Sequence, residues 1–262
     1  RSTLFPYTTL FRSRSEVVLI AKFFRIFDAL EWVRHYTRLG FDHITIYDNH
    51  TECFDVSSLQ ILFPNLTVCK VNHVNSQCEI YNIHRQQHKE YDWIFFCDDD
   101  EFLYLDRSKF KNINDFLSSL PPFVEQFGVY WKYMSYAGGI VPEDRPFTRV
   151  TEDMMYTDNE PYLTHVKSFV KNTVHETFSV PHLIYDIQSY SLDGPINDAA
   201  TVRNPFNDYI SLHHYYRRSK KETEEKMERN RIDAEGKYKD HPKQNDYEKD
   251  HKYDILDSRI LL

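Results

Sequence analysis

The residues best able to do chemistry in this sequence are acidic and adjacent. Asp98, Asp99, Asp100 and Glu101 follow directly on the apolar segment DWIFFC. An apolar run that delivers three aspartates to the end of a strand suits an oxygen-rich site for a hard cation such as magnesium or manganese. If the extended geometry continued past residue 97, Asp98 and Asp100 would face one side and Asp99 the other. Taken alone, the same run also fits a solvated, helix-capping turn. Two further strand ends are polar: HITIYD closes on Asp48 and Asn49, and EVVLIA is followed by Lys22.

Those acids need elements to place them, and the hydrophobic pattern supplies an alternation. EVVLIA (16–21) is short, continuous and rich in β-branched residues, which predicts a buried strand. The stripe Ala29, Leu30, Trp32, Val33, Tyr36, Leu39 predicts a helix over 29–39, with Asp28 as its cap, Glu31 three positions on, and Gly40 as its stop. Strands are expected at 43–48, 66–71 and 92–98, with a helix over about 77–90 before the last. This β-α-β alternation reads as an α/β fold, a mostly parallel central sheet with helices on both faces, and in such sheets ligands bind at the carboxyl ends of the strands. Beyond Leu105 the order is less regular: a helix over 113–120, a break at Pro121 and Pro122, and a strand near 127–132. Residues 140–165 carry Pro142, Pro146 and Pro161 among many charges and read as a long loop facing the active site or an acceptor.

Composition narrows the class. The chain has 262 residues with 32 Lys or Arg against 40 Asp or Glu, a formal charge of −8, so no global field draws it to nucleic acid. Six glycines against 19 Tyr, 19 Phe and 3 Trp exclude linker-like or collagenous sequence and favour a packed globule. No apolar stretch approaches the roughly 20 residues that span a bilayer, so the chain reads as soluble or peripheral. Cys53, Cys69, Cys78 and Cys97 show no CxxC spacing and read as free thiols of a reducing compartment. Residues 217–262 hold 13 basic and 12 acidic side chains and read as a charged tail with a solvated helix over about 220–234. Residues 1–13, RSTLFPYTTLFRS, have neither a signal peptide's core nor a regular period. They resemble a translated sequencing-adapter fragment and are set apart from the expected catalytic unit, 14–216.

The segments ALEWVRHYTRLGFDHITIYDNHT (29–51), DWIFFCDDDEFLYL (92–105), HVKSFVK (165–171) and ISLHHYYRRSKKETEEK (210–226) together resemble glycosyltransferases of the GT-A fold, of the family 2 type and closest to the branch that includes family 92. The resemblance implies a GT-A fold and a reaction in which a sugar passes from a nucleotide-diphosphate donor to an acceptor hydroxyl, with inversion and with Mn or Mg as cofactor. Asp98 and Asp100 are similar to the ends of the family's DxD motif, the first facing the ribose and the last holding the metal. Asp48 looks like the strand-end acid that contacts the nucleoside, and His214 like a late histidine that adds a metal or diphosphate contact. Lys167, Arg218 and Lys220 offer positive charge to the departing diphosphate. The general base must lie opposite the metal, and Glu143, Asp144, Glu152 and Asp153 are the acids available, with Asp144 the first choice. The implied partners are a nucleotide-sugar donor and a glycan or lipid-linked acceptor, in the cytoplasm or at the inner face of a membrane. The chain departs from the pattern at Phe23 and Phe24, where relatives often carry Asn and Glu, and at Asp99, where the middle residue is more often apolar.

Other readings compete at several positions. Trp32 and Tyr36 read as core residues of the helix stripe. Trp131, Tyr133 and Tyr136 beside Gly138 and Gly139 fit either core or an acceptor-sugar wall. His213 reads as a strand-end residue. His84 and His88 share a helix face at i, i+4, a spacing that could bind zinc, yet without HExxH or a cysteine partner they read as a surface pair. The competing functions are a nucleotide-sugar or polysaccharide binding module of the same fold and a metal-dependent phosphoryl-transfer enzyme. The latter lacks a GxxxxGK[ST] phosphate loop.

Overall fold

The computed structural model describes residues 13–23, 25–71, 77–136, 154–156, 164–196, 200–201, 209–215, 231–232, 238–239 and 255–256. Its centre is a block of parallel strands. β1 (Ser15–Ala21) lies between β2 (His43–Asp48) and β4 (Trp93–Cys97), and β3 (Leu66–Lys70) adds beyond β2, all parallel. These strands are the near-continuous apolar runs that burial on both faces requires. Val17 and Leu19 face one core with Ala29, Trp32, Val33 and Tyr36 of α1 (Ile26–Leu39). Val18 faces the other with Cys78 and Tyr81 of α2 (Gln77–Gln87). The expected α/β class, with helices on both faces of a parallel sheet core, is therefore the one found.

The sheet turns antiparallel beyond β4. β8 (Thr164–Lys171) pairs antiparallel with β4 and with β6 (Gln126–Tyr136), and β9 (Ser189–Ser191) and β10 (Gly194–Ile196) extend the edge. β5 (Glu101–Leu105) leaves β4 to pair with β12 (Ile210–His214), which lies parallel to β6. α3 (Ile113–Ser119) is capped by the Asn112 side chain, which accepts from Asp115 N–H, and it packs Ile113, Phe116 and Leu117 into the α1 core. β7 (Met154–Tyr156) and β11 (Ala200–Thr201) add to β6 and β8. Among the described residues no helix is long and apolar enough to cross a membrane.

Several expectations change. Asp28 is not the cap of α1: the helix begins at Ile26, and Asp28 sits in its first turn, accepting from the Arg25 guanidinium at 3.1 and 3.0 Å. Burial of the apolar stripe, at about 1.5–3 kcal/mol per large side chain, holds this helix without a side-chain cap. Gly40 does end it, at φ +87°, where an added Cβ would come within 2.8 Å of Asn112 Cβ. The crossover between β2 and β3 is only a 3-10 helix, Val56–Ile61. Inside the expected 140–165 loop, β7 pairs with β6 and also with β15 (Ile255–Leu256), so the chain's end returns to the sheet. The tail helix does not run to 234, because β13 (Arg231–Ile232) pairs with β14 (Tyr238–Lys239); β-branched Ile232 and aromatic Tyr238 suit extended backbone. Residues 216–230 lie outside the described residues, as do 1–12. Ser13 belongs to the fold, its N–H donating to Ser118 Oγ at 3.2 Å. All four cysteines are free, and Cys78 and Cys97 are buried.

Candidate active site

The extended geometry does not continue past Cys97. The chain turns at once, with Asp98 N–H donating to Glu101 Oε2 at 2.8 Å and Glu101 N–H donating to Asp98 O at 3.2 Å. Consecutive aspartates compete for backbone N–H groups and favour such a turn over a strand, so the side-to-side alternation expected of Asp98, Asp99 and Asp100 is replaced by turn geometry. Helix α1 holds this turn from below. Trp32 Nε1–H donates to Asp98 O at 3.2 Å, and the Tyr36 hydroxyl donates to Glu101 O at 3.0 Å. Trp32 and Tyr36 are core residues as the stripe implied, and their polar tips also fix the acidic turn. The sequence offers a signal for this in the i, i+4 pair of polar-tipped aromatics on a buried stripe.

β8 brings the counter-charge. Its register pairs Phe169 with Phe95, which sets Lys167 level with Cys97 at the carboxyl end of β4. Lys167, 1% exposed, donates to Asp98 Oδ2 at 3.0 Å and stands 3.9 Å from Glu101 Oε2. Burial would lower the Lys167 pKa, but the two carboxyl groups outweigh it and raise it well above the ordinary range. Burial also acts to raise Asp98, yet Lys167 holds that carboxyl below its usual value. Glu101 goes the other way: burial, reinforced by Asp98 and Asp100, pushes it well up despite Lys167. The shorter contact decides the pairing, so Lys167 is matched first to Asp98, with Glu101 the more distant partner. The other Asp98 oxygen accepts from Gln77 Nε2 at 3.0 Å, a contact from α2 that the sequence reading missed.

β12 brings the histidine. It lies against β5 with His214 opposite Glu101, and Tyr215 N–H donates to Asp100 O at 2.8 Å. His214 Nε2 stands 3.5 Å from Asp100 Oδ1, both side chains nearly buried at 7% and 5% exposure. Two residues more than 100 positions apart thus share one corner. The Trp131 ring packs on His214 at 4.2 Å between centroids and on His165 and His182 at 5.1 and 5.5 Å, so it backs the site from β6. His213 is buried and stacks on Tyr104 at 5.9 Å.

Asp48 sits at the same edge, since it pairs with Ala21 at the end of β1. One of its oxygens accepts from Thr51 N–H at 3.0 Å, and the following loop is laced to β1 by Asn49 N–H to Ala21 O and Phe23 N–H to Thr51 Oγ1. His50 takes φ +59° in that loop, a left-handed backbone that a histidine adopts at some cost. Phe23 is a buried core residue packed near Phe54, so hydrophobic packing occupies that corner. Asp144, Glu143, Glu152, Asp153, Arg218 and Lys220 lie outside the described residues, as do Phe24, Gly138, Gly139 and the side chains of Tyr133 and Tyr136.

At the carboxyl edge the residues present fit a divalent cation at the Asp100–His214 corner. Asp100 and His214 offer an oxygen and a nitrogen a few ångströms apart in a nearly buried corner, and Glu101 Oε1 in the same turn is buried with no hydrogen-bond partner. Manganese and magnesium accept carboxylate oxygen, and imidazole nitrogen suits manganese better. Asp98 fits the role less well, because Lys167 and Gln77 engage both of its oxygens.

No protein-family model matches the sequence, and no curated protein matches it. Among solved structures the chain is similar to mannosyltransferase PcManGT from Pyrobaculum calidifontis in complex with GDP-Man and Mn2+, at TM-score 0.37 and 13% identity over 54% of this chain and 39% of that one. It is also similar to GalNAc-T7 with UDP, GalNAc and Mn2+, at TM-score 0.45 and 10% identity over 79% of this chain and 44% of that one. A third likeness is to HddC from Yersinia pseudotuberculosis complexed with GMP-PN, at TM-score 0.39 and 12% identity over 76% and 92%. The chain thus spans less than half the length of the first two. Likenesses this distant concern the general fold alone.

Proposed function

We propose that the chain is a metal-dependent glycosyltransferase of the GT-A type that uses a nucleotide-diphosphate sugar. The observation that carries this reading is the meeting of Asp98, Asp100, Lys167 and His214 at the carboxyl edge of the parallel strands, where open α/β sheets bind their ligands. Asp100 and His214 would hold the cation, which supplies Lewis acidity to the diphosphate leaving group. Asp98 is about one-third exposed and is ionised by its pairing with Lys167, so it can accept from a ribose hydroxyl on its open side. Lys167, buried against two carboxyl groups, acts as a positioning residue for Asp98; its charge is already matched before a phosphate arrives. Arg218 and Lys220 are proposed for the diphosphate, Asp48 for the nucleoside and Asp144 for the general base. Those assignments, and inversion at the anomeric carbon, rest on the sequence resemblance. Trp131, packed on His214, keeps water from one side of the metal corner.

A panel of nucleotide-diphosphate sugars assayed for nucleotide release with manganese tests the reading. Release with one or a few donors, lost in Asp100→Ala and in His214→Ala while both variants stay folded, is the expected result. Manganese-dependent nucleotide binding without release from any donor would favour a binding module, and no binding at all would overturn the proposal.

A further inference from the structure

At the opposite end of the same strands lies a second polar cluster that the donor site does not use. Glu16 of β1 is wholly buried and pairs in register with Ile94, four residues before Asp98, which sets the two clusters about 13 Å apart along the strand. Its Oε1 accepts from Thr45 Oγ1 at 2.6 Å, and its Oε2 lies 2.9 Å from His84 Nε2 and 3.7 Å from His88 Nδ1. The two imidazoles stack at 4.0 Å on one face of α2, and His84 is wholly buried, so the pair is not the surface feature that the sequence suggested. The i, i+4 spacing places both rings on the side of the helix that packs over the sheet, and Glu16 waits beneath them.

We propose that Glu16, His84 and His88 form a zinc site at the amino edge of the sheet, separate from the Asp98–Glu101 turn. The donor set is two nitrogens and one carboxylate oxygen, all within 4.8 Å of one another. A tetrahedral zinc at about 2.0–2.1 Å from each donor separates its ligands by roughly 3.3 Å. The 2.9 and 3.7 Å separations bracket that value. His88 is one-quarter exposed, so a small ring movement and a water in the fourth position complete the coordination, with Glu90 Oε1 nearby at 3.7 Å from His88 Nδ1. The outer partners needed to orient the ligands are in place. Thr45 fixes the carboxylate, and the Tyr47 hydroxyl lies 2.9 Å from His84 Nδ1, where its oxygen can accept a hydrogen bond from Nδ1–H while Nε2 binds metal.

Charge points the same way. Among the described residues no lysine or arginine pairs with the buried Glu16 carboxyl group. A buried anion without a cation is costly, and a divalent ion removes that cost. His88 Nδ1 is itself buried with no hydrogen-bond partner.

Zinc titration against a competing chromophoric chelator, with metal content measured after dialysis, tests the proposal on the whole chain. One equivalent is expected in the wild type, with affinity lowered at least 100-fold in His88→Ala and unchanged in Asp100→Ala. Cobalt(II) should give the visible absorption of a four-coordinate site in the wild type and in Asp100→Ala only. His88 is the preferred position because it is partly exposed, and a zinc-free melting temperature equal to the wild type's confirms that this variant folds. Zinc affinity insensitive to His88→Ala, abolished by Asp100→Ala, or absent from the wild type would overturn it. None of these outcomes depends on whether the carboxyl edge binds a nucleotide sugar.

Discussion

At the carboxyl ends of the parallel strands Lys167 lies 3.0 Å from Asp98 and 3.9 Å from Glu101, while at their amino ends the ionisable groups nearest Glu16 are His84 at 2.9 Å and His88 at 3.7 Å. Both regions bury carboxyl groups. The first carries its own lysine, so its charge is largely settled within the chain, and the group left over is the Asp100–His214 corner. The second has two imidazoles and no lysine or arginine against its carboxyl group among the described residues. A site balanced by lysine can remain dry and rigid while it waits for a donor, whereas one balanced only by imidazole invites a cation. The difference comes from which strand lies next to each carboxylate: antiparallel β8 at one end, helix α2 at the other.

Removing the lysine should have the largest effect. Lys167→Met leaves Asp98 and Glu101 beside each other without compensation, and a loss of about 3–5 kcal/mol in denaturant unfolding is expected. Glu16→Gln at the amino edge removes a buried charge and keeps a hydrogen-bonding side chain, so in zinc-free protein it should cost about 1 kcal/mol or less. Equal losses in the two variants would show that the amino edge is as well compensated as the carboxyl edge.

Donor binding should divide the acidic turn. Asp100→Ala is expected to weaken manganese-dependent binding of uridine diphosphate at least 100-fold by isothermal titration, Asp98→Ala less, and Asp99→Ala least. An Asp99 variant as weak as Asp100→Ala would break the assignment of the metal to the Asp100–His214 corner.

Two partly buried histidines make the fold sensitive to mild acid. Burial, offset in part by a hydrogen bond with Leu103 O, takes His35 to about 4, and burial with Lys167 nearby takes His182 to about 4. Both lie below the ordinary value near 6.5, so the unfolded chain binds more protons between pH 6.5 and 4, and stability falls as pH drops through that window. Each contributes a loss of up to about 2 kcal/mol at pH 5 relative to pH 7 by this linkage. His35→Gln should flatten the dependence by about half in urea titrations at the two pH values. An unchanged slope would show that His35 takes up its proton at the same pH in the fold as in the unfolded chain.

The last of these effects concerns the amino edge. Gly40 holds φ +87°, and its carbonyl accepts from Asn114 Nδ2 at 3.0 Å as α1 hands over to β2. Gly40→Ala should cost about 1–2 kcal/mol through the left-handed backbone and the 2.8 Å approach to Asn112. Donor affinity should stay unchanged, because that turn lies at the amino ends of the parallel strands.

Much of the fold is legible before any coordinates. The apolar runs at 15–21, 43–48 and 93–97, the stripe of α1 and the stop at Gly40 state their structure locally, because burial on both faces or on one helix face leaves a period in the residue types. The acidic turn is visible as composition, and the late histidine is visible through resemblance. Their meeting is not, since the sequence contains no measure of which strand lies beside which. Only the register of β8 on β4 sets Lys167 against Asp98, and only the pairing of β12 with β5 brings His214 to Asp100. The roles of Trp32 and Tyr36 under the turn depend on the packing of α1 across the sheet. The amino-edge cluster shows the limit most directly. His84 and His88 announce a shared helix face, but Glu16 stands more than 60 residues earlier in a run that reads as ordinary strand, and whether a histidine pair faces water or a buried carboxylate is decided by which side of the helix the sheet covers.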